Sequence, residues 1–291
     1  MKEIEYAAPN TVDEAVRLLG EKGARARMLA GGTDLIVQVR EHRRDIDMLI
    51  DLKKIPEAME LSYQAEKGLT IGSAVPCVQI YEDQDIKNAY PGLIDSVSLV
   101  GGIQIQNRAS IGGNMCNASP AADTTPIIIA HKGTCKIVGP NGIREIPAEE
   151  FCTAPGKTVL AENEWLLSIH LPPPPKNFGA AYLRFIPRNE MDIAVVGTGV
   201  SVTLDDNKTK CVEARISLGA VAPKPILVPE ASAALVNGDL TETHITQAAS
   251  VAQGAANPIS DMRGDAEYRV HLVKVLVRRA LTTAVERAKA G

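Results

Sequence analysis

Two glycine pairs, each set among small hydroxyl and amide side chains, are the residues of this chain best suited to grip a ligand. The first is Leu29-Ala30-Gly31-Gly32-Thr33-Asp34-Leu35; the second is Ser110-Ile111-Gly112-Gly113-Asn114, followed by Asn117, Ser119 and Asp123. Adjacent glycines let backbone N–H groups approach a diphosphate with no Cβ in the way. Thr33, Ser110, Asn114, Asn117 and Ser119 add neutral hydrogen bonds for polyol or phosphate oxygens. A lone Gly-Gly pair is most often a plain tight turn. Two of them converging on one ligand point to a dinucleotide.

Other chemistries find little support. The chain has no G-x-S-x-G elbow, no H-E-x-x-H and no Walker loop, and its five histidines are isolated in sequence. Its five cysteines (Cys77, Cys116, Cys135, Cys152, Cys211) form no C-x-x-C pair, which argues against a disulfide framework, a zinc site or an iron–sulfur site built by this chain alone. They are read as reduced thiols, and Cys116, inside the second glycine segment, is expected near the ligand. A formal net charge of −4 gives no general attraction to nucleic acid or anionic lipid. No run approaches the about 18 consecutive apolar residues of a membrane helix, so a cytoplasmic protein is expected. A bound redox cofactor would bring its own reactivity, leaving the protein to position and tune it.

The elements that must position these residues follow from pattern. At 291 residues the chain is long enough for two or three compact units. Thr11-Val-Asp-Glu14 is a capping box for a helix to about Glu21, with Gly23 as its stop. A strand from Arg25 to Ala30 leads into Gly31-Gly32, and Asp34 is placed to cap a short helix from Leu35 to Glu41. Met48 to Leu52 and Leu69 to Ala74 read as strands, and prolines open helices at Pro76 and Pro91. Asn141-Gly142 marks a hairpin between Cys135–Val138 and Ile143–Ile146, and Glu164 to Leu171 closes the unit. The second glycine pair reads as a loop after a strand. Pro172 to Pro175 cannot continue a sheet or helix and serves as a stiff linker. Beyond it, three strands (180–187, 193–204, 211–221) precede helices at 241–255 and 265–288. The last helix carries two apolar rows, Leu272, Leu276, Ala280, Ala284 and Val273, Val277, Leu281, Val285, which define one buried face.

The order Ala-Gly-Gly-Thr-Asp-Leu, then Ala109-Ser-Ile-Gly-Gly-Asn114, then Ser119-Pro-Ala-Ala-Asp123 resembles the FAD-binding medium subunit of the xanthine dehydrogenase and carbon monoxide dehydrogenase family of molybdenum hydroxylases. The resemblance covers nearly the whole chain. It implies an α+β fold: a two-part α/β FAD-binding domain of the vanillyl-alcohol-oxidase type in residues 1–57 and 58–175, then a C-terminal domain of antiparallel sheet plus helices in 176–291. It also implies that Ala30 to Asp34 and Ser110 to Asn114, with Leu29, Leu35 and Ile111 beside them, hold the FAD diphosphate. Asn117, Ser119 and Asp123 match polar FAD contacts, and Leu166 or Leu167 matches an apolar contact against the flavin. Arg184 stands where relatives commonly have a lysine near the ring, keeping the charge but changing the hydrogen-bond geometry. Relatives often read Gln-Ile-Arg-Asn before the second pair; here Gln104-Ile105-Gln106-Asn107-Arg108 displaces the positive charge by two positions.

The expected function is an FAD-binding electron-transfer subunit. It would receive electrons from an iron–sulfur small subunit and pass them to NAD, a quinone, ferredoxin or oxygen. The 2Fe-2S clusters and the molybdopterin are expected only in partner subunits, with a molybdenum-cofactor large subunit hydroxylating the substrate. One alternative is a self-contained FAD-dependent oxidase or reductase of the same flavin fold, which needs a proton donor beside the flavin. Another is a non-catalytic nucleotide-binding assembly module, which would be colourless when purified.

Overall fold

The computed structural model describes residues 3–291. The chain opens with a parallel sheet in the order β1-β3-β2, formed by β1 (Glu5–Ala7), β2 (Ala26–Leu29) and β3 (Met48–Asp51), with α1 (Val12–Lys22) and α2 (Leu35–Arg40) between the strands. The Thr11 hydroxyl accepts from the Glu14 N–H at 3.2 Å, so the expected cap of α1 forms. Gly23 ends this helix at φ 52°, a conformation suited to glycine. Asp34 holds the N-cap position of α2 without a side-chain cap bond. Ala15 and Leu19 of α1 share an apolar cluster with Met48 and Ile50 of β3 and with Trp165 and Leu167 from further along the chain.

The second unit is an antiparallel sheet in the order β4-β5-β10-β6-β7, backed by short helices. Its elements are β4 (Leu61–Gln64), β5 (Gly68–Gly72), α3 (Cys77–Glu82), α4 (Gln84–Ala89), α5 (Pro91–Val97), α6 (Ile103–Gln106), α7 (Ile111–Cys116), α8 (Thr124–Ala130), β6 (Thr134–Gly139), β7 (Gly142–Pro147), α9 (Ala148–Phe151), β8 (Cys152–Ala154), β9 (Lys157–Thr158) and β10 (Trp165–Leu171). The largest core lies between sheet and helices, with Leu69, Ile71, Leu93, Ile127, Ile137 and Ile169 at its centre. One sequence expectation fails here: the second glycine pair is neither a loop nor the end of a strand. Gly112 and Gly113 lie inside α7, and α6 precedes them. Glycine is a poor helix former, but the Ser110 hydroxyl caps this turn by accepting from the Gly113 N–H at 3.0 Å, and tertiary packing outweighs propensity.

The prolines 172–175 belong to no helix or strand, and they are pinned: the Tyr90 hydroxyl donates to the Pro172 carbonyl at 3.0 Å. The antiparallel sheet beyond them has the order β11-β12-β13-β14, built from β11 (Phe178–Phe185), β12 (Val196–Leu204), β13 (Cys211–Gly219) and β14 (Ile226–Leu227). Helices α10 (Pro229–Leu235), α11 (Glu242–Gly254) and α12 (Ala266–Ala290) follow. Both apolar rows of α12 are buried, in one core with Val200, Val202, Ile216 and Leu218 of the sheet. The approach is close: a Cβ on Gly179 would stand 2.0 Å from the Ala284 carbonyl oxygen, so β11 needs glycine there. Among the described residues no helix is long and apolar enough to cross a membrane.

Candidate functional site

The first glycine turn leaves the carboxyl edge of the parallel sheet, the edge where open α/β sheets receive ligands. Gly32 has φ 80°, and a Cβ there would press on Ile36 and Leu29 at 2.8 and 3.0 Å. The backbone N–H groups of Gly31, Gly32, Thr33 and Asp34 donate to no protein acceptor among the described residues. Beside them, Lys53 follows β3 and donates to the Ala30 carbonyl at 3.0 Å while pairing with Asp51 at 2.6 Å. Tyr6 completes this edge by donating to Asp51 at 2.7 Å. Thr33 and Leu35 are half-buried, and the Asp34 side chain is exposed.

The second segment meets the first directly. A Cβ on Gly31 would lie 1.9 Å from the Arg108 carbonyl oxygen, and the Arg108 guanidinium donates to the Gly31 carbonyl at 3.4 Å. Arg108 thus carries a positive charge to the first turn, whereas Gln106 is buried and donates to the Ser98 carbonyl at 2.8 Å. Gly112 packs on Ser73, whose Cα and carbonyl oxygen a Cβ would meet at 2.5 Å. Gly31 and Gly112 are therefore required by backbone contact within the protein. Gly113 differs, since a Cβ there would meet nothing nearer than the Ser110 hydroxyl at 3.1 Å. The N–H groups of Ile111 and Gly112 also lack a protein acceptor among the described residues, and the buried Ser73 hydroxyl has no partner. Gln38 of α2 donates to the Asn117 side-chain oxygen at 3.2 Å, a further tie between the segments.

From α7 a continuous polar path leads to the C-terminal sheet. The Asn114 side-chain oxygen accepts from the Thr124 hydroxyl at 2.7 Å, leaving its NH2 group uncommitted among the described residues, and the Ser119 hydroxyl accepts from the Ala121 N–H at 3.3 Å. Asp123, next to Thr124, accepts from the Tyr182 hydroxyl at 2.8 Å and from the Arg184 guanidinium at 2.7 Å. Burial pushes the Asp123 carboxyl above its ordinary range, against the pull of the Arg184 charge and the Tyr182 hydrogen bond. Leu166 and Leu167 both lie buried in β10, Leu166 in the main core and Leu167 in the core shared with α1 and β3. A bulge occurs between Leu166 and Ser168, and there the Leu167 carbonyl accepts from the Ser73 N–H at 2.9 Å, which ties β10 to the packing surface of Gly112. Cys116 is exposed at the end of α7.

The sequence reading missed Lys53, Ser73 and Tyr182. A lysine directly after a parallel strand was a usable signal for Lys53; Ser73 and Tyr182 become visible only through contacts distant in sequence. Clefts of about 300 Å³ (lined by Glu57, Lys136, Leu167 and His170, among others) and about 130 Å³ (beside the β6–β7 hairpin) do not include the glycine turns.

Unpaired N–H donors at the first glycine turn and at the adjoining start of α7, an uncommitted amide group and one buried carboxylate fit a ligand with an anionic diphosphate and a hydroxyl-rich arm. This donor set defines the chain as a dinucleotide-binding protein. Residues 2–174 match the family described as the FAD binding domain in molybdopterin dehydrogenase, and residues 181–284 match the CO dehydrogenase flavoprotein C-terminal domain. The chain belongs to this family of FAD-binding oxidoreductase subunits. It is 32% identical over 285 residues to a xanthine dehydrogenase FAD-binding subunit of Escherichia coli O157:H7, covering 97% of this chain and 96% of that one. It is 31% identical to the carbon monoxide dehydrogenase medium chain of Hydrogenophaga pseudoflava, with 96% of each chain covered. Among solved structures, carbon monoxide dehydrogenase of H. pseudoflava lacking the Mo-pyranopterin moiety of its cofactor matches with a TM-score of 0.93, 31% identity and 98% coverage of each chain. Quinoline 2-oxidoreductase from Pseudomonas putida 86 matches at 0.89 and 26%, covering 99% of each chain. The α+β fold, with a two-part FAD domain followed by a sheet-and-helix domain, is the fold of this family.

Proposed function

We propose that this chain is the flavin-bearing electron carrier of a molybdenum hydroxylase complex, standing between an iron–sulfur small subunit and an external acceptor, with a molybdenum-cofactor large subunit acting on the organic substrate. The observation that carries the reading is the joining of the first glycine turn to the start of α7, through Gly31 and Arg108, with the N–H groups of Gly31 to Asp34, Ile111 and Gly112 unpaired among the described residues. In this reading the N–H groups of Gly31 to Asp34, with Ile111 and Gly112, hold the diphosphate, and Lys53 and Arg108 supply positive charge beside it. Ser110, Gly113, Asn114, Asn117 and Ser119 border the ribityl arm, Leu29, Leu35 and Leu166 or Leu167 give apolar contacts, and Asp123 and Arg184 stand at the flavin end. FAD, when bound, supplies the redox chemistry that no side chain here provides. The names of relatives support the assembly, since they are medium chains or a complex subunit.

The same reading divides the chain into units 1–57, 58–175 and 176–291; the core of the last draws only on residues from Ala181 to Ala288, whereas the core around α1 and β3 also takes Trp165 and Leu167 from the second. A cytoplasmic location is supported by five free thiols. Co-expression with the neighbouring reading frames tests the function. The expected product is a brown complex whose flavin bleaches with substrate and recovers with acceptor, while the single chain shows at most dye reduction by NADH. Turnover of an aldehyde, a purine or carbon monoxide by the single chain would favour the self-contained flavoenzyme instead.

A further inference from the structure

Strand β11 brings two side chains of the C-terminal half to one carboxylate of the flavin half. The Tyr182 hydroxyl bonds Asp123 Oδ1 and the Arg184 guanidinium bonds Asp123 Oδ2, in surroundings where the Arg184 side chain is 5% exposed and Tyr182 is 1% exposed. Tyr182 is itself fixed from behind. Its backbone N–H donates to Asp95 Oδ2 at 3.2 Å, and Asp95 is held by Arg287 of α12, which reaches Asp95 Oδ1 at 2.9 Å. On the neighbouring strand, Gly197 pairs with Arg184, and a Cβ at Gly197 would stand 2.8 Å from the Tyr182 hydroxyl. The absence of a side chain at Gly197 keeps the hydroxyl's position open. An ion pair between Asp123 and Arg184 requires neither the hydroxyl nor that space.

We propose that Tyr182 is a positioning residue of the cofactor site: with Arg184 it keeps Asp123 ionised and turns the carboxylate so that its remaining lone pairs accept from a hydroxyl or N–H at the flavin end of FAD. The inference rests on the reading of Asp123 as an FAD contact. A carboxylate offers about four acceptor sites, and Tyr182 and Arg184 use one on each oxygen, so about two remain on a side chain that is still 12% exposed. Protonation would place a donor where an acceptor is needed and would remove the charge that holds Arg184. Burial favours that protonation; the two β11 side chains oppose it.

The other groups around Asp123 leave this role to β11. From α5, the Ser96 hydroxyl donates to the Asp123 backbone carbonyl at 3.1 Å, and Asp95 is already paired with Arg287. Strand β12, packed along α8, carries no charged residue. Arg215 of β13 and Glu149 of α9 pair with each other at 2.8 Å, with Arg215 bonded to Ile129 at the far end of α8. Segment α7 contributes only the neutral Asn114.

The test titrates the Asp123 carboxyl carbon by 13C NMR in the apo chain and then follows FAD release against pH in the holo chain. Tyr182→Phe should raise the Asp123 midpoint by about one pH unit, a tenfold change in proton concentration, and move the acid limb of FAD release by the same amount. Gly197→Ala, which keeps the tyrosine but crowds its hydroxyl, should act in the same direction. In an Asp123→Asn background, adding Tyr182→Phe should shift nothing. An unchanged Asp123 midpoint in Tyr182→Phe would overturn the proposal, as would a release shift that persists without the carboxylate. A chain that titrates as described but retains no FAD contradicts the flavin assignment itself.

Discussion

The two ends of α8 each bury a titratable side chain, and they treat it in opposite ways. Asp123, at the N-terminal end, keeps partners on both carboxylate oxygens and sits where a helix dipole favours an anion. His131, at the C-terminal end, is 4% exposed among the rings of Tyr90 and Phe178, with no partner for Nε2 among the described residues. A dipole there would favour a cation, yet burial pushes its pKa down to about 3. Where the fold needs a charge it supplies opposing groups, and where it needs only volume it leaves the ring neutral. At Asp123 burial comes with partners, as it does for Arg269 paired with Asp261; at His131 it does not.

The largest effect should come from removing the partner of the buried charge. Arg184→Met leaves Asp123 without its cation, and breaking such a pair costs about 3–5 kcal/mol, read as a fall in unfolding free energy in urea. If Arg184→Met unfolds no more easily than wild type, Asp123 is not an enforced charge. Next in size is Gly112→Val, whose side chain has no space against the Ser73 backbone; a loss of about 3 kcal/mol is expected.

The third prediction concerns His131. Its folded pKa lies below the unfolded value of about 6.5, so the unfolded chain binds the extra proton as pH falls and stability is lost on acidification. Between pH 6.5 and pH 5 this loss amounts to about 2 kcal/mol. His131→Phe should abolish that part of the slope in denaturation curves recorded at both pH values. An unaltered slope would show that His131 does not hold its proton off.

Gly113→Val should have the smallest effect on stability, within about 1 kcal/mol, because its Cβ meets only the capping hydroxyl of Ser110. It should nevertheless abolish FAD retention. Full flavin content in a folded Gly113→Val protein would make α7 a structural helix and nothing more.

Sequence alone carried the parts governed by local rules. The double apolar row of α12, the cap at Thr11 and the glycine turn after β2 each follow from spacing or residue type, and each stands in the structure. The α7 helix was not legible, since Ile-Gly-Gly-Asn-Met-Cys has weak helix propensity and is held by Ser110 and by packing on Ser73. Nor could spacing reveal that Gly31 is required by the Arg108 carbonyl, or that Tyr182 bonds a carboxylate 59 residues away. Residue types were readable; the contacts that separate Gly31 and Gly112, which the fold crowds, from Gly113, which it does not, were tertiary.

Flavin analysis of the purified single chain tests the central claim most directly. Neither glycine segment, 29–35 or 110–114, contains a histidine or cysteine that could bond the flavin covalently, so acid or heat precipitation should leave a yellow supernatant. It should contain FAD at about one mole per mole of chain. FMN in place of FAD, flavin retained in the precipitate, or a colourless protein that binds no added FAD would contradict the account.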